Sequence, residues 1–403
     1  MARLIDITGK AVSGEWGFDD ETGDGIPVIR TTNFTNDGVV NYNDIVTRKI
    51  IKKNLDEKYL RKGDIIIEKS GGSDKFPVGR VIYFDGEENT YLFNNFTGLL
   101  RVKNQELWYT KYVFYSLFFN YKRGGTRAFE NKTTGLHNLK TDEYVRRYEV
   151  TERSRNEQIL ICEKLDRAYS IIKSRQLELL LLDELIKARF VEMFGDPATN
   201  PYNWDKINIS EVVGDKVSNG FFAKRDDYAD DGNVSVMGVA YIVNRMYSQW
   251  QDLPRTNGTD KDIEKFEVKY GDMLFCRSSL VAEGIGKASI VPEDVPQNTL
   301  FECHVIRLPL DLSKCVPEYM QVFSTMEYFR RQIIAQSKTA TMTTIGQDGI
   351  LKADILLPPM SKQREFYAFV HQVNKSKFDT MTFAPIYDII NLYLHTHFYQ
   401  GRR

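Results

Sequence analysis

The chain has 403 residues, of which 42% are hydrophobic and 27% are charged, and this composition favours two or three folded domains over a disordered protein. Lys and Arg total 54 against 55 Asp and Glu, so the net charge of −1 excludes nucleic-acid binding through bulk positive charge but not through a local basic surface. No apolar run reaches the ~18 residues of a membrane helix, and the N-terminus lacks a signal-peptide pattern, so we expect a cytoplasmic protein. The four cysteines are widely spaced, which favours buried thiols over disulfides or a zinc knuckle.

The first predicted elements along the chain are short strands rich in β-branched and aromatic residues, separated by Gly, Asn and Asp turns. A helical stretch at 108–121 follows them. This order is neither pure β nor a regular alternation of strands and helices, so we predict a mixed domain at 1–150. The candidate strands span 26–29, 64–67, 80–84, 90–93 and 98–102.

A long helix is predicted at 151–195, directly after this domain. Ser154 and Glu157 have capping-box spacing at its start, and Gly195 before Asp196-Pro197 ends it. Apolar residues recur at alternating intervals of four and three, which is typical of a coiled coil, and ~40 helical residues span roughly 60 Å, more than one domain needs. The predicted coiled-coil positions are Ile161, Leu165, Ile172, Leu179, Leu182 and Ile186.

The second half of the sequence repeats the first at an offset of about 207 residues. Paired motifs in the same order over ~100 residues are hard to explain by chance, so we predict a second mixed domain at 196–357 with a helical stretch at 317–334. The pairs include Asp19-Asp20 with Asp226-Asp227, Glu57-Lys58-Tyr59 with Glu264-Lys265-Phe266, Tyr112 with Tyr319 and, after a one-residue slip, Gly63-Asp64 with Gly271-Asp272.

The last predicted element is a second long helix at 358–403. It begins after Pro358-Pro359, and Phe366, Val370 and Val373 start its apolar stripe. Pro385 interrupts the stripe, and an interior proline removes a backbone hydrogen bond, so we expect a kink or break near it.

No motif indicates catalysis or a bound metal. The stretch Gly284–Ser289 resembles a phosphate loop but lacks its first glycine, and Ala288 stands where Ser or Thr would bind magnesium. The five histidines show no zinc-ligand spacing; His395 and His397 fall on different faces of a helix. These observations favour a binding protein with no catalytic or metal site.

Candidate binding residues cluster in three loops of the first half, and two of these loops have counterparts in the second half. The stretch 122–147 carries a net charge of +4, interleaved with Gly, Thr and Asn. Cationic, hydroxyl and amide groups on turns are the side chains that contact DNA phosphates and base edges. The candidates are Arg30, Thr31, Asn33, Lys69, Ser70, Lys75, Arg123, Arg127, Lys132, Thr133, His137 and Asn138 in the first half, and Lys224, Arg277, Ser278, Lys338, Thr341, Thr343 and Gln347 in the second.

Two motifs border the long helices. The first helix ends in Met193-Phe194-Gly195-Asp196-Pro197, followed by Asn200-Pro201 and Trp204. Leu357-Pro358-Pro359 and Gln363 open the second helix. With the repeat and the long helices, these motifs resemble the DNA-specificity (S) subunits of type I restriction–modification enzymes. The resemblance covers essentially the whole chain, and the helix exit is its most specific part.

The resemblance implies an α+β fold in which two mixed α/β target-recognition domains form a tandem repeat. Two long helices join them as an antiparallel coiled coil, with pseudo-two-fold symmetry. Each domain would read one half of a bipartite double-stranded DNA site, and the helices would set the gap between the halves.

The resemblance also implies partners. Two methyltransferase subunits would dock on this chain and methylate adenine N6 with S-adenosylmethionine, and two restriction subunits would add ATP- and Mg²⁺-dependent cleavage. The S chain itself would be non-catalytic and hold no cofactor, in a bacterial or archaeal cytoplasm.

Two alternatives stay open from the residues alone. One is a pure protein–protein scaffold with a coiled-coil spacer, and the other is an enzyme with an unrecognised site. Salt dependence separates DNA binding from scaffolding, because DNA binding weakens steeply with ionic strength whereas apolar pairing of helices does not.

Overall fold

The computed structural model describes residues 1–133, 136–381 and 385–398. Packing divides the chain into two compact units. Unit 1 combines Met1–Ser174 with the C-terminal helix, and unit 2 begins at Arg175 and holds the other described residues. The predicted mixed α/β class is confirmed. The division by packing differs from the linear one predicted, because the long central helix contributes to both units.

Unit 1 is built on a four-stranded antiparallel sheet with the strand order β2-β10-β6-β8, covered by helix α2. A second sheet, β3-β5-β4-β9, contains the parallel pair β4 and β9. The strands are β1 (Ala2–Arg3), β2 (Val12–Ser13), β3 (Phe18–Asp19), β4 (Ile26–Ile29), β5 (Val46–Lys49), β6 (Ile65–Glu68), β7 (Ser70–Gly72), β8 (Val81–Tyr83), β9 (Leu92–Phe93), β10 (Thr97–Leu100), β11 (Glu130–Thr133), β12 (Leu136–Leu139) and β13 (Glu149–Val150). The helices are α1 (Leu4–Thr8), α2 (Thr110–Lys122), α3 (Thr141–Arg147) and α4 (Arg155–Phe194).

Unit 2 has the same plan, with the antiparallel sheet β15-β22-β18-β20 and the parallel pair β16 and β21. Its strands are β14 (Asp205–Asn208), β15 (Ser218–Asn219), β16 (Val234–Met237), β17 (Arg255–Thr256), β18 (Asp272–Cys276), β19 (Ser278–Ser279), β20 (Ala288–Ile290), β21 (Thr299–Phe301), β22 (Val305–Pro309), β23 (Lys338–Thr339), β24 (Thr343–Thr344) and β25 (Asp354–Leu357). The further helices are α5 (Asp260–Phe266), α6 (Pro317–Thr325), α7 (Glu327–Ala335), α8 (Gln347–Leu351) and α9 (Met360–Met381) in unit 2, and α10 (Pro385–Phe398) in unit 1.

The predicted repeat is therefore a repeat of structure. The central strands β6 and β18 are buried along their whole length, in keeping with the apolar runs 65–67 and 273–276 that they contain. In each unit the first strand pairs antiparallel with a late one, β1 with β13 and β14 with β25, so a domain begins and ends at one two-stranded ladder.

A buried glutamine anchors the start of the long helix in each unit. The Gln158 amide accepts from the Tyr109 backbone N–H at 2.8 Å and donates to the carbonyls of Leu107 and Arg153. Gln363 in α9 makes the matching set in unit 2, accepting from the Val316 N–H at 2.9 Å and donating to the carbonyls of Lys314 and Pro358. Each amide satisfies backbone groups that would otherwise be buried without partners.

Within unit 1, the first half of α4 packs against α10. Lys164 of α4 lies over the Tyr393 ring, with its Nζ 5.8 Å from the centroid. The predicted positions Ile161, Leu165 and Ile172 are buried in the core of this unit, together with Ile390, Leu394 and Phe398.

Within unit 2, the second half of α4 runs antiparallel to α9. Asp183 pairs with Lys377, and Arg189 lies 3.5 Å from Glu365, so the residue numbers increase in opposite directions. Ile186, Phe366, Val370 and Val373 of the predicted set are buried, Leu182 packs at the edge of the same core, and Leu179 is half-buried. Two large side chains outside the predicted set, Phe190 and Phe194, fill the centre of this contact.

The predicted interruption at Pro385 falls at the first residue of α10, where a proline needs no backbone N–H donor. Residues 382–384, between α9 and α10, lie outside the described part of the chain. Among the described helices, none is both long enough and apolar enough to cross a membrane.

Candidate nucleic-acid interface

A small three-stranded sheet gathers two of the predicted binding loops of unit 1. Strand β7 continues from β6, and it pairs with β12, which pairs in turn with β11. Asn138 lies opposite Ser70, and the Leu139 N–H donates to the Lys69 carbonyl at 2.8 Å. Lys132 and Thr133 belong to β11. The sheet thus joins side chains that are more than 60 residues apart in the sequence.

The arginines before this sheet hold its loops in place. Arg127 Nη2 donates to the carbonyls of Asp74 and Lys75 at 3.1 and 3.3 Å, although most of its side chain is exposed. Arg123 Nη2 donates to Asn120 Oδ1 at 3.2 Å and stacks over the Phe119 ring. The Lys75 side chain is exposed at the tip of the loop.

His137 is a correction to the predicted contact set, because its side chain is only 5% exposed. Its Nδ1 lies 2.9 Å from Glu130 Oε2, and its Nε2 lies 3.5 Å from Asp74 Oδ1. Glu130 also accepts from the Val78 N–H at 3.0 Å. A bulge between His137 and Asn138 gives the two side chains different directions. The His137 side chain therefore positions the loop and does not face solvent.

The turn after β4 holds the third predicted loop of unit 1. Asn33 is also corrected: it is 1% exposed, and its amide donates to the carbonyls of Asn41 and Asp44 while its Oδ1 accepts from the Arg30 N–H. Arg30 is half-buried and forms an ion pair with Asp44 at 3.1 Å. Of this loop, Arg30 and Thr31 keep partial exposure.

Arg80, which the sequence did not single out, ties this turn to the central sheet. Its guanidinium donates to the carbonyls of Thr31 and Phe34 at 2.8 and 2.9 Å and lies 3.4 Å from Glu68 Oε1 at the end of β6. Burial raises the pKa of Glu68, while the charge of Arg80 opposes the rise. Burial also lowers the pKa of Lys69, the next residue, whose Nζ donates to Ser13 Oγ at 3.0 Å.

Unit 2 builds the same arrangement from different residues. Arg277 follows β18, and the sheet β19-β24-β23 brings Ser278 beside the Thr344 backbone and Lys338 on the far strand. The Arg277 backbone is fixed by the Ile345 N–H, which donates to its carbonyl at 3.0 Å. Its guanidinium donates to the Cys303 carbonyl at 3.1 Å.

Thr343 is the third correction, because it is 2% exposed and its hydroxyl lies 3.0 Å from that of Thr339. Gln347 is half-buried, and its amide fits between the Val217 carbonyl and the Asn219 N–H. Lys224, Lys338 and Thr341 are exposed, as a contact residue must be.

Two exposed apolar side chains next to these sheets were not among the contact residues predicted from the sequence. Phe76 is 60% exposed beside Lys75, and Leu280 is 81% exposed two residues after Ser278. Both are apolar residues inside polar turns, and this pattern could have identified them. Such side chains meet thymine methyl groups or wedge between base steps in protein–DNA complexes.

Each unit therefore presents an exposed lysine, hydroxyl or amide groups and an apolar tip around one small sheet. Cations and hydroxyls can hold phosphates, whereas amides and apolar tips can distinguish base edges. The net charge of −1 is compatible with this arrangement, because the basic side chains are concentrated locally.

Comparisons with known proteins agree with these features. Residues 4–180 match the family model described as type I restriction modification DNA specificity domain. The crystal structure of a type I restriction-modification system S subunit from M. genitalium has a TM-score of 0.56 at 12% identity, covering 100% of this chain and 96% of that one. A chain from a structure of type I R-M complex assembly and conformational transition has a TM-score of 0.52 at 13% identity, covering 98% of this chain and 96% of that one. These identities show a shared fold, and no curated protein matches the sequence.

Proposed function

We propose that this chain is a DNA-specificity subunit of a type I restriction–modification enzyme, and that each of its two units reads one half of a bipartite DNA site. The observation that carries the proposal is the duplicated sheet, β11-β12-β7 in unit 1 and β19-β24-β23 in unit 2. Both sheets follow a buried central strand that begins with Gly-Asp, and both expose cationic and polar side chains.

The different loops of the two sheets support an asymmetric site. Lys75 and Phe76 lie at the tip in unit 1, whereas Leu280 follows β19 in unit 2. Base readout depends on which donors, acceptors and methyl contacts a loop offers, so unlike loops favour unlike half-sites. On this proposal the long helices set the distance between the half-sites.

Specificity subunits of this family are non-catalytic, so the chemistry would reside on partners. We expect two methyltransferase subunits that carry S-adenosylmethionine and methylate adenine N6, and two restriction subunits that carry ATP and Mg²⁺. The exposed leucines of α4, among them Leu177, Leu181 and Leu185, support docking of partner helices. We expect the assembly in the cytoplasm.

A domain exchange tests the two-reader proposal. Residues 1–150 contain both strands of the β1-β13 ladder and end before the helix anchored by Gln158, so the exchange leaves α4 intact. The new domain must then pack on Ile161, Leu165 and Ile172 of that helix. Replacing them with the matching part of another specificity subunit should change one half of the methylated motif and leave the other half and the spacing unchanged. The readout is a map of methylated adenines in cells that hold the methyltransferase subunit.

Three outcomes contradict the proposal: a change in both halves, a change in neither half, or methylation that persists after deletion of this chain. Salt dependence tests the scaffold alternative separately. If the complex binds its DNA with no loss of affinity between low and moderate ionic strength, phosphate contacts do not hold it.

A further inference from the structure

The turn that joins β21 to β22 in unit 2 carries three side chains of metal-binding type in a row, Glu302, Cys303 and His304. The Glu302 carboxylate oxygen lies 3.9 Å from His304 Nε2 and 4.0 Å from Cys303 Sγ. One donor atom from each residue lies within 4.8 Å of the other two. The convergence depends on the turn, because neighbouring residues in an extended strand would point to opposite faces.

These separations are close to those of a tetrahedral metal site. Metal–ligand bonds of about 2.0–2.3 Å place neighbouring ligand atoms roughly 3.5 Å apart. Small side-chain rotations therefore suffice to bring the three donors onto one ion. A fourth position would be left open to water.

The backbone of the turn is held from both sides, which preorganises the three donors. The Glu302 N–H donates to the Met237 carbonyl at 3.0 Å, and the Val305 N–H closes the turn on the Glu302 carbonyl at 2.9 Å. Arg277 donates from its backbone N–H to the His304 carbonyl at 2.8 Å and from its guanidinium to the Cys303 carbonyl. Rigid backbone support of this kind lowers the cost of ordering ligands on binding.

The donor set selects the kind of metal. Thiolate and imidazole are borderline-soft ligands that prefer zinc and similar transition metals, whereas Mg²⁺ and Ca²⁺ prefer oxygen. A thiolate and a carboxylate together supply two negative charges, which match a divalent cation. Half of the His304 side chain is exposed, and Cys303 is the cysteine that is not buried, so an ion can enter from solvent.

We propose that Glu302, Cys303 and His304 bind one divalent transition metal of the zinc class in unit 2. The matching turn of unit 1, between β9 and β10, reads Asn94-Asn95-Phe96 and offers no thiol or imidazole. The site is therefore a property of one unit. Cys303 is only partly buried, which corrects the expectation of four buried thiols, and the proposed site lies beside the predicted contact residues Arg277 and Ser278.

Titration of the full chain with Co²⁺, in a thiol-free reductant, tests the proposal. We expect one equivalent to bind, with a thiolate-to-cobalt charge-transfer band and ligand-field bands typical of four-coordinate cobalt, and Zn²⁺ should displace the cobalt. C303S should remove the charge-transfer band, and H304A should weaken the affinity at least about tenfold. E302Q should also weaken it, and excess Mg²⁺ should not compete.

Matched controls are His395→Ala, an exposed histidine elsewhere, and Glu293→Gln, an exposed carboxylate nearby, both of which should bind like the parent chain. A folded parent chain that gives no cobalt spectrum overturns the proposal, as does a charge-transfer band that survives in C303S. If C303S fails to fold, the proposal is also overturned when H304A binds Co²⁺ with the same affinity as the parent chain. None of these results depends on DNA binding, so failure of the site and failure of the proposed function are distinguishable.

Discussion

The two units share their buried polar contacts and differ in their exposed loops. Asp64 pairs with Arg101 at 2.6 Å in unit 1, and Asp272 pairs with Arg307 at 2.6 Å in unit 2. The sheet tips match less well: the loop after β7 carries Lys75 and Phe76, whereas Leu280 follows β19.

The difference has a physical reason. A buried polar group without a hydrogen-bond partner destabilises the folded state by its full desolvation penalty. Few other residues can therefore replace a side chain that pairs with buried backbone or side-chain groups. An exposed loop residue is hydrated in either state, so its identity is free to follow the ligand. Two units with one scaffold and two sets of loops are suited to reading two different half-sites.

The largest expected effect is from removing Arg307, the more buried of the two arginines. Arg307→Ala leaves Asp272 buried without its partner, which should lower the free energy of unfolding by about 3–5 kcal/mol. Arg101→Ala should cost less, because Arg101 is more exposed than Arg307 and its removal opens the buried Asp64 carboxylate to water. Denaturant unfolding measures both, with the exposed Arg331→Ala as control.

The loss of stability caused by Arg307→Ala should also depend on pH. Burial already raises the pKa of Asp272 while Arg307 opposes the rise, so its loss raises that pKa further. A carboxyl whose pKa is raised on folding contributes stability at low pH that is lost as the pH rises through the folded value. The difference in free energy of unfolding between the parent chain and Arg307→Ala should therefore increase from acidic to neutral pH. A difference that decreases over this range would contradict the explanation.

Replacing either of the two helix-anchoring glutamines should lower the free energy of unfolding by nearly the same amount, because the two units share this contact. Gln158→Ala and Gln363→Ala each leave a backbone N–H and two carbonyls without their partner, at a cost of about 2–4 kcal/mol. Gln372→Ala, on the exposed face of α9, should change stability by less than about 0.5 kcal/mol. A large effect at one anchor and none at the other would mean that the units are not held alike.

Two exposed lysines test whether both sheets contact DNA. Lys75→Gln in unit 1 and Lys338→Gln in unit 2 should each weaken binding of the assembled methyltransferase complex to its DNA. If each lysine contacts one phosphate, each change lowers the slope of log affinity against log salt by about 1. Fluorescence anisotropy over a salt series measures the slope.

The matched control for the lysines is Lys362→Gln, in an exposed ion pair with Glu365 on α9. If only one of the two sheet lysines changes the slope, the two units do not contact DNA in the same way through these sheets. If neither does, both are removed from the proposed contact set.

The smallest effect is expected from Glu318, a buried carboxyl of unit 2 whose matched residue in unit 1 is Lys111. Its Oε1 accepts from the Tyr247 hydroxyl at 2.8 Å, and its Oε2 has no hydrogen-bond partner. Burial raises its pKa, with Tyr247 and the charge of His371 opposing the rise. The raised pKa destabilises the folded unit as the pH rises from the ordinary Glu value through the raised one.

Glu318→Gln keeps an oxygen for Tyr247 and removes the titration. The variant should gain stability relative to the parent chain at neutral and alkaline pH, and the gain should vanish in acid. Thermal unfolding over a pH series measures it, and a gain that is independent of pH would rule out titration of Glu318 as the cause.

The sequence by itself determined the repeat, the mixed class and the position of the central helix. These features follow from local rules: apolar periodicity, the capping pair Ser154 and Glu157, and Gly195 with a positive φ at the helix end. The structure places the predicted strands on β4, β6, β8, β9 and β10, with ends shifted by one or two residues. The predicted helical stretch 317–334 is divided at Met326 into α6 and α7.

Only the tertiary structure decided which polar side chains of the loops face solvent. Asn33, His137 and Thr343 have the right chemistry for DNA contact, but all three side chains are buried. The Asn33 amide bonds to the carbonyls of Asn41 and Asp44, and strand pairing places His137 and Thr343. The tertiary structure also assigned the halves of α4 to different units and fixed the turn in which the donor atoms of Glu302, Cys303 and His304 converge. Periodicity is set by neighbours three or four residues away, whereas side-chain direction in a loop is set by partners that are distant in the sequence.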